Sequence, residues 1–193
     1  MASKQKTTKT TAIYQLKISL RHIKPPIWRR VQVFNSITLE ELHWIIQIVM
    51  GWEDYHLHQF TINGVEYGMP QPEYEFDVED EGEVQLKQVV TGENFKFHYT
   101  YDFGDSWDHE ILIEKILPPD KEGIYPICIK GKRACPPEDC GGPYGYPDFL
   151  EALQNPSHPE HETMAEWMEG SDFDPEMCDI KDINERLANL QEE

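Results

Sequence analysis

Positive charge is scarce in this chain. Among 193 residues, Lys and Arg number 17 against 36 Asp and Glu, a formal net charge of −19. The first eleven residues, MASKQKTTKTT, hold three lysines and no acid, so residues 12–193 carry 14 basic against 36 acidic groups, net −22. Such a body repels phosphate backbones, which argues for a protein partner over nucleic acid. Cysteine is sparse as well. Cys128, Cys135, Cys140 and Cys178 are too few for a secreted disulfide scaffold of this length. No long apolar run exists: the longest lies in 44–50, far short of a membrane span. The N-terminus has no apolar h-region and does not read as a signal peptide. Together these absences predict a cytoplasmic protein without a membrane segment. A Gly-rich phosphate loop, a nucleophile elbow and an HExxH motif are also missing, which removes the commonest catalytic signatures.

What remains is patterned. In IYQLKISL, Tyr14, Leu16, Ile18 and Leu20 alternate with polar residues, as in a half-buried strand. IWRRVQVF continues in extended form to Phe34. TLEELHWIIQIVMGW reads as a helix: Thr38 and Glu41 fit a capping box, Leu39, Leu42, Ile46 and Val49 form one stripe, and Gly51 ends it. HLHQFTING reads as a strand closed by an Asn63-Gly64 turn. Residues 68–83 read as a loop, and VQLKQVV, FKFHYTYDF, WDHEILIEKIL and YPICIKGK as strands. After residue 133 the texture changes to Pro and Gly and then to short helices, with Pro147, Pro159 and Pro175 placed as first-turn prolines. The last helix carries Ile183, Leu187 and Leu190 on one face. Strands followed by helices predict an α+β fold: a mostly antiparallel sheet, one N-terminal helix packed on it, and a C-terminal group of short helices. The expected organisation is a disordered basic tail, 1–11, and a single domain, 12–193, whose helical part starts near 147.

The stretch YDFGDSWDHE, 101–110, concentrates charge. Phe95, Phe97, Tyr99, Tyr101 and Phe103 share one strand face; Trp107, His109, Ile111 and Ile113 share another. A hairpin must bring these faces together, because a one-residue slip turns one set outward. A three-residue connection, 104–106, would pair Phe103 with Trp107 and Tyr99 with Ile111. It would also set Asp102 against Asp108 and Thr100 against Glu110. Facing carboxylates are destabilising by roughly 0.2–1 kcal/mol. Compensation could come from Arg29, Arg30, Lys130 or Arg133, from a hard cation, or from solvation.

Cys135 and Cys140 have the spacing of half a zinc site. His158 and His161 are the nearest second half, although their spacing is tighter than usual; free thiols or a local disulfide are the alternatives. His56 and His58, two apart on an expected strand, would share a face. Zinc or another divalent cation is the cofactor these patterns allow. In ACPPEDCGGPYGYP, Pro136-Pro137 stiffens the loop, Gly141-Gly142 permits close backbone approach, and Glu138, Asp139, Tyr144 and Tyr146 add polar and aromatic groups. This loop is expected beside the 102–109 turn, the two lining the main cleft. The ligand-cleft candidates are Asp102, Asp105, Trp107, Asp108, His109, Glu138, Asp139, Tyr144 and Tyr146.

From about Ile13 to Leu187 the chain resembles the Ri-plasmid ORF-three-like proteins, through PPIWRRVQV, TLEELHWIIQ, GWEDYHLHQF, YDFGDSWDHEI, ACPPEDCGGPYGY and FDPE. Trp28, His58, Asp102, Asp105, Trp107, His109 and the run Cys135, Pro136, Glu138 to Gly142 resemble the family's signature, none with an assigned catalytic role. The resemblance implies a prokaryotic protein of a family without an established function, some members of which carry a resolvase label. The chemistry here opposes that label: Ser19, near Arg21, lies in a strand pattern, and the C-terminal helices are acidic. The leading reading is a non-enzymatic acidic binding or adaptor module for a protein partner. The alternative is a metal-dependent hydrolase or nuclease built on the 102–110 carboxylates with His56, His58 or His109.

Overall fold

The computed structural model describes residues 11–70, 78–120, 122–168 and 173–190. Most of the expected tail, part of the 68–83 loop and part of GSDFDPE lie outside these residues. Eight described strands form one sheet: β1 (Ile13–Leu20), β2 (Trp28–Phe34), β3 (His58–Ile62), β4 (Val65–Gly68), β5 (Glu79–Asp80), β6 (Lys96–Tyr101), β7 (Trp107–Leu117) and β8 (Ile127–Lys132). Their order is β5-β4-β3-β6-β7-β1-β2-β8. Only the short β4–β5 pair is parallel.

Alternation decides the faces. Tyr14, Leu16, Ile18 and Leu20 of β1, Phe97, Tyr99 and Tyr101 of β6, and Trp107, Ile111 and Ile113 of β7 are all buried. The opposite face is polar; there Arg30 makes a two-pronged pair with Glu114 and both Arg30 and Lys17 lie over the Trp28 ring. Helix α1 (Leu39–Met50) covers the buried face. Thr38 and Glu41 form the reciprocal cap, and Gly51, left-handed at φ 89°, donates its N–H to Gln47 O. Buried Arg29 donates from Nε to Val49 O near the helix end, 2.8 Å away. Arg29 is therefore committed to α1, not to the acidic hairpin.

Several expectations are corrected. Residues 86–89 form a short helix, α2 (Leu86–Val89), not a strand. Leu86 and Lys87 donate their N–H groups to Ile37 O and Asn35 O, so these donors serve the loop after β2. Helix α3 (Gly142–Gln154) begins inside the segment read as loop, with Pro143 in its first turn and Pro147 inside it. Pro159 and Pro175 precede α4 (His161–Trp167) and α5 (Ile180–Asn189). The left-handed Gly141 and Gly142 allow the earlier start of α3.

The hairpin keeps its shared face but takes another register. Tyr101 pairs with Trp107, Tyr99 with His109 and Phe97 with Ile111, while Phe103 is half exposed beyond the strand. The connection is five residues, 102–106, with Asp102 and Ser106 both left-handed at φ 55° and 56°. Asp102 Oδ1 accepts from Gly104 N and Asp105 N, at 2.8 and 3.2 Å. Asp102 thus leaves the ladder to cap the turn, and Thr100 takes the place opposite Asp108, donating its hydroxyl to Asp108 Oδ1 at 2.8 Å. Glu110 faces His98, not Thr100, and pairs with Lys96 at 3.0 Å. The expected carboxylate clash does not arise.

Candidate functional site: a histidine-floored cleft

The charged groups of 101–110 do not converge on one point. Asp105 Oδ2 accepts from Gly141 N at 3.2 Å, Asp108 faces Thr100, and Glu110 pairs with Lys96. Trp107 and His109 are fully buried core residues, not cleft residues. Burial holds His109 neutral, its pKa lowered to about 4, with Nδ1 3.3 Å from Tyr99 O.

The cysteine loop does lie beside the turn, as expected. It forms a strap pinned from several sides. Trp52 Nε1 donates to Pro136 O at 2.9 Å, and Glu138 accepts from both the Tyr101 hydroxyl and Glu53 N. A side chain at Gly142 would collide with the backbone carbonyl of Asp105. The two segments do not share a cleft, however. Asp139, Cys140 and Gly141 line a hollow of about 390 Å³ with α3 and α4, whereas the turn reaches the other cleft only through Phe103. Tyr146 is buried and Tyr144 is exposed.

The expected Cys–His set does not assemble. Among the described residues, two groups of three donors could hold a metal: His43, Asp54 and His58; and His56, Asp102 and Asp139. Neither includes Cys135, Cys140, His158 or His161. His161 Nδ1 lies against Ala152 O, tying the start of α4 to α3, and His158 Nδ1 accepts from Glu160 N in a local turn, so both rings have structural partners. All four cysteines are free; burial pushes the Cys140 thiol up to about 12 and Cys135 higher still, which makes them poor nucleophiles. His56 and His58 do not share a face either. β3 starts at His58, and His56 in the preceding loop turns to Asp139 and Asp102, at 3.1 and 3.6 Å.

The cleft with the most developed chemistry lies between α1, the loop 54–57 and β3–β4. It encloses about 270 Å³. His43, Asp54, His58 and Glu81 form its floor. The rings of His43 and His58 stack, centroids 3.5 Å apart and 7° from parallel. His58 Nε2 meets both oxygens of buried Glu81, at 2.9 and 3.0 Å. Below them a hydrogen-bond chain fixes the orientation of His43. Asp54 N donates to Gln47 Oε1, Gln47 Nε2 donates to the Tyr99 oxygen at 3.0 Å, and the Tyr99 hydroxyl is left to donate to His43 Nδ1, 2.8 Å away. The proton of neutral His43 therefore sits on Nε2. That atom is 3.1 Å from Asp54 Oδ1 but at an angle that makes no hydrogen bond. Burial, then the neighbouring His58, lowers the His43 pKa to about 3; burial raises that of Asp54.

The rim is apolar. Trp44, Tyr55, Leu57, Met69 and Phe103 line it, and each is an exposed large hydrophobic side chain. Among the described residues, the lining includes Glu40, Asp54 and Glu81 but no Lys or Arg. Sequence reasoning missed His43, Asp54 and Glu81. One signal was available for the first: His43 and Gln47 stand four apart, each four residues after an apolar or polar member of the buried side of α1.

A helix-covered antiparallel sheet with a polar-floored cleft and a Pro/Gly strap defines a class of α+β protein. Within that class, the plasmid pRiA4b ORF-3-like protein family matches residues 12–182, and the chain belongs to this family. It is 38% identical over 181 residues to the uncharacterized protein y4hQ of Sinorhizobium fredii, covering 93% of this chain and 92% of that one. It is also similar to the crystal structure of a protein of unknown function, MM3350, from Methanosarcina mazei Go1. The identity there is 44% and the TM-score 0.81, over 89% of this chain and 97% of the other. No described helix is long and apolar enough to cross a membrane.

Proposed function

We propose that the protein is a non-enzymatic binding module whose cleft takes a basic, apolar-anchored segment of a protein partner. One observation carries this reading: among the described residues, five exposed apolar side chains surround a floor that holds carboxylates and no Lys or Arg. Clustered exposed apolar groups mark interaction surfaces, and aromatic anchors dominate their energetics. The volume suits one or two inserted side chains better than a large cofactor. Asp54, partly buried and without a hydrogen-bonded cation, offers its carboxylate to a Lys or Arg of the partner. The same acidity disfavours nucleic acid, so duplex DNA should not bind at physiological salt.

The test is fluorescence polarisation with labelled synthetic peptides in the presence of a chelator. Peptides combining an aromatic anchor with Lys or Arg should bind, and matched peptides carrying Asp or Glu should not. Trp44→Ala and Tyr55→Ala should each weaken binding about tenfold or more. Equal binding of basic and acidic peptides, or indifference to both substitutions, contradicts the reading.

A further inference from the structure

We infer that the cleft floor is a divalent transition-metal site formed by His43, Asp54 and His58, with Glu81 in support. This names a second ligand for the cleft, and it is decided by metal titration without peptide. Three observations carry it. The donor atoms of His43, Asp54 and His58 lie within 4.8 Å of one another, close enough to contract around one ion. His43, with its side chain only 2% exposed, aims a hydrogen-bond-free Nε2 into the group. Its other nitrogen is held by the Tyr99 hydroxyl, which fixes the ring's orientation and becomes the acceptor a metal-bound imidazole keeps once the ring proton moves to Nδ1. Two imidazoles with one carboxylate, opening on a cleft, suit zinc, cobalt or nickel rather than magnesium or calcium.

The geometry also limits the affinity. Each lone pair lies in the plane of its ring, and the two planes are nearly parallel and set apart, so one ring must tilt before both meet the same ion. His58 is that ring, because it must also loosen from Glu81. His43 must shift its proton to Nδ1, which turns Tyr99 from donor to acceptor and leaves the hydroxyl proton without its partner. Binding should therefore be weaker than in a closed structural zinc site.

The test uses untagged full-length protein, stripped with chelator, in zinc calorimetry and in cobalt titration followed by visible absorption. The expected result is one ion per chain, with cobalt d–d bands of a low-coordinate nitrogen–oxygen site. Asp54→Asn should weaken zinc by at least about tenfold. His58→Gln and His43→Gln should do the same, with near-ultraviolet circular dichroism confirming the fold. His56→Ala should leave affinity within about twofold, since it belongs to the other group. Absence of saturable zinc binding overturns the inference. So does loss of binding in His56→Ala with retention in Asp54→Asn, which would move the site to His56, Asp102 and Asp139.

Discussion

The strap with its hairpin turn and the cleft floor are both rich in carboxylates and histidines, yet they treat those groups differently. In the turn and strap most polar atoms are answered inside the protein: Asp102 by two turn amides, Asp105 by Gly141, Glu138 by Tyr101 and Glu53. At the cleft floor the chain of bonds ends short. His43 Nε2 has no hydrogen bond, and burial, with Glu138 and Glu81 nearby, raises the pKa of Asp54. Density of charged residues in a sequence therefore marks a place where the backbone needs fixing as readily as a place where a ligand binds. Incomplete satisfaction alone does not separate the two, because His56 Nε2, Trp107 Nε1, His109 Nε2 and the Tyr146 hydroxyl around the turn and strap also lack a hydrogen bond. What marks the floor is that its free nitrogen faces both a second imidazole and a carboxylate beside an open cleft.

The contrast can be broken most forcefully at Gly142. Gly142→Ala adds a methyl group against Asp105 O at a left-handed position, and should cost roughly 2–4 kcal/mol in denaturant unfolding. A cost under about 0.5 kcal/mol would mean that the strap is not fixed to the turn. Asp102→Ala should cost about 1–2 kcal/mol through loss of the turn cap. Asp102→Asn should recover most of that, since Asn both accepts the same bonds and tolerates the left-handed backbone. Equal losses in the two variants would assign the carboxylate charge itself a role.

A third prediction concerns pH. His109 has a folded pKa of about 4 against an ordinary 6.5, so the unfolded chain binds the extra proton in that window. Stability from this group is complete above pH 6.5 and is lost as pH falls towards 4, by roughly 1.4 kcal/mol per pH unit. Tyr99 O, Trp107 and Asp108 face the ring and oppose this only in part. His109→Gln should flatten the acid limb of a plot of unfolding free energy against pH; an unchanged slope contradicts buried neutral His109. The smallest effect on stability is expected at the rim. Trp44→Ala should stay within about 0.5 kcal/mol of the parent while losing peptide binding. A large loss of stability there would make Trp44 part of the core.

Much of this was legible before the fold. Period-two alternation identified the buried faces of β1, β6 and β7, and Thr38, Glu41 and Gly51 marked both ends of α1. Register was not legible, because it turns on two left-handed residues, Asp102 and Ser106, that lengthen the connection without changing parity. The 84–90 segment misled because its β-branched composition was overridden by donors held at Asn35 and Ile37. The cleft was hidden for another reason. His43 lies on a helix, Asp54 and His58 bracket a loop, and Glu81 sits in a short turn after β5, so only the sheet brings them together.

The most direct test is thermal unfolding of three proteins, the parent, Glu138→Gln and Asp54→Asn, each with and without zinc. A ligand of the native state raises the midpoint, by an amount that grows with the logarithm of its concentration over its Kd. The account predicts that Glu138→Gln starts from a lower midpoint, as the Tyr101 and Glu53 bonds weaken, yet keeps the full zinc-induced rise. Asp54→Asn should start near the parent value and show almost no rise. The reverse pattern, with the zinc response lost in Glu138→Gln and kept in Asp54→Asn, would contradict the division between a structural strap and a ligand-facing floor.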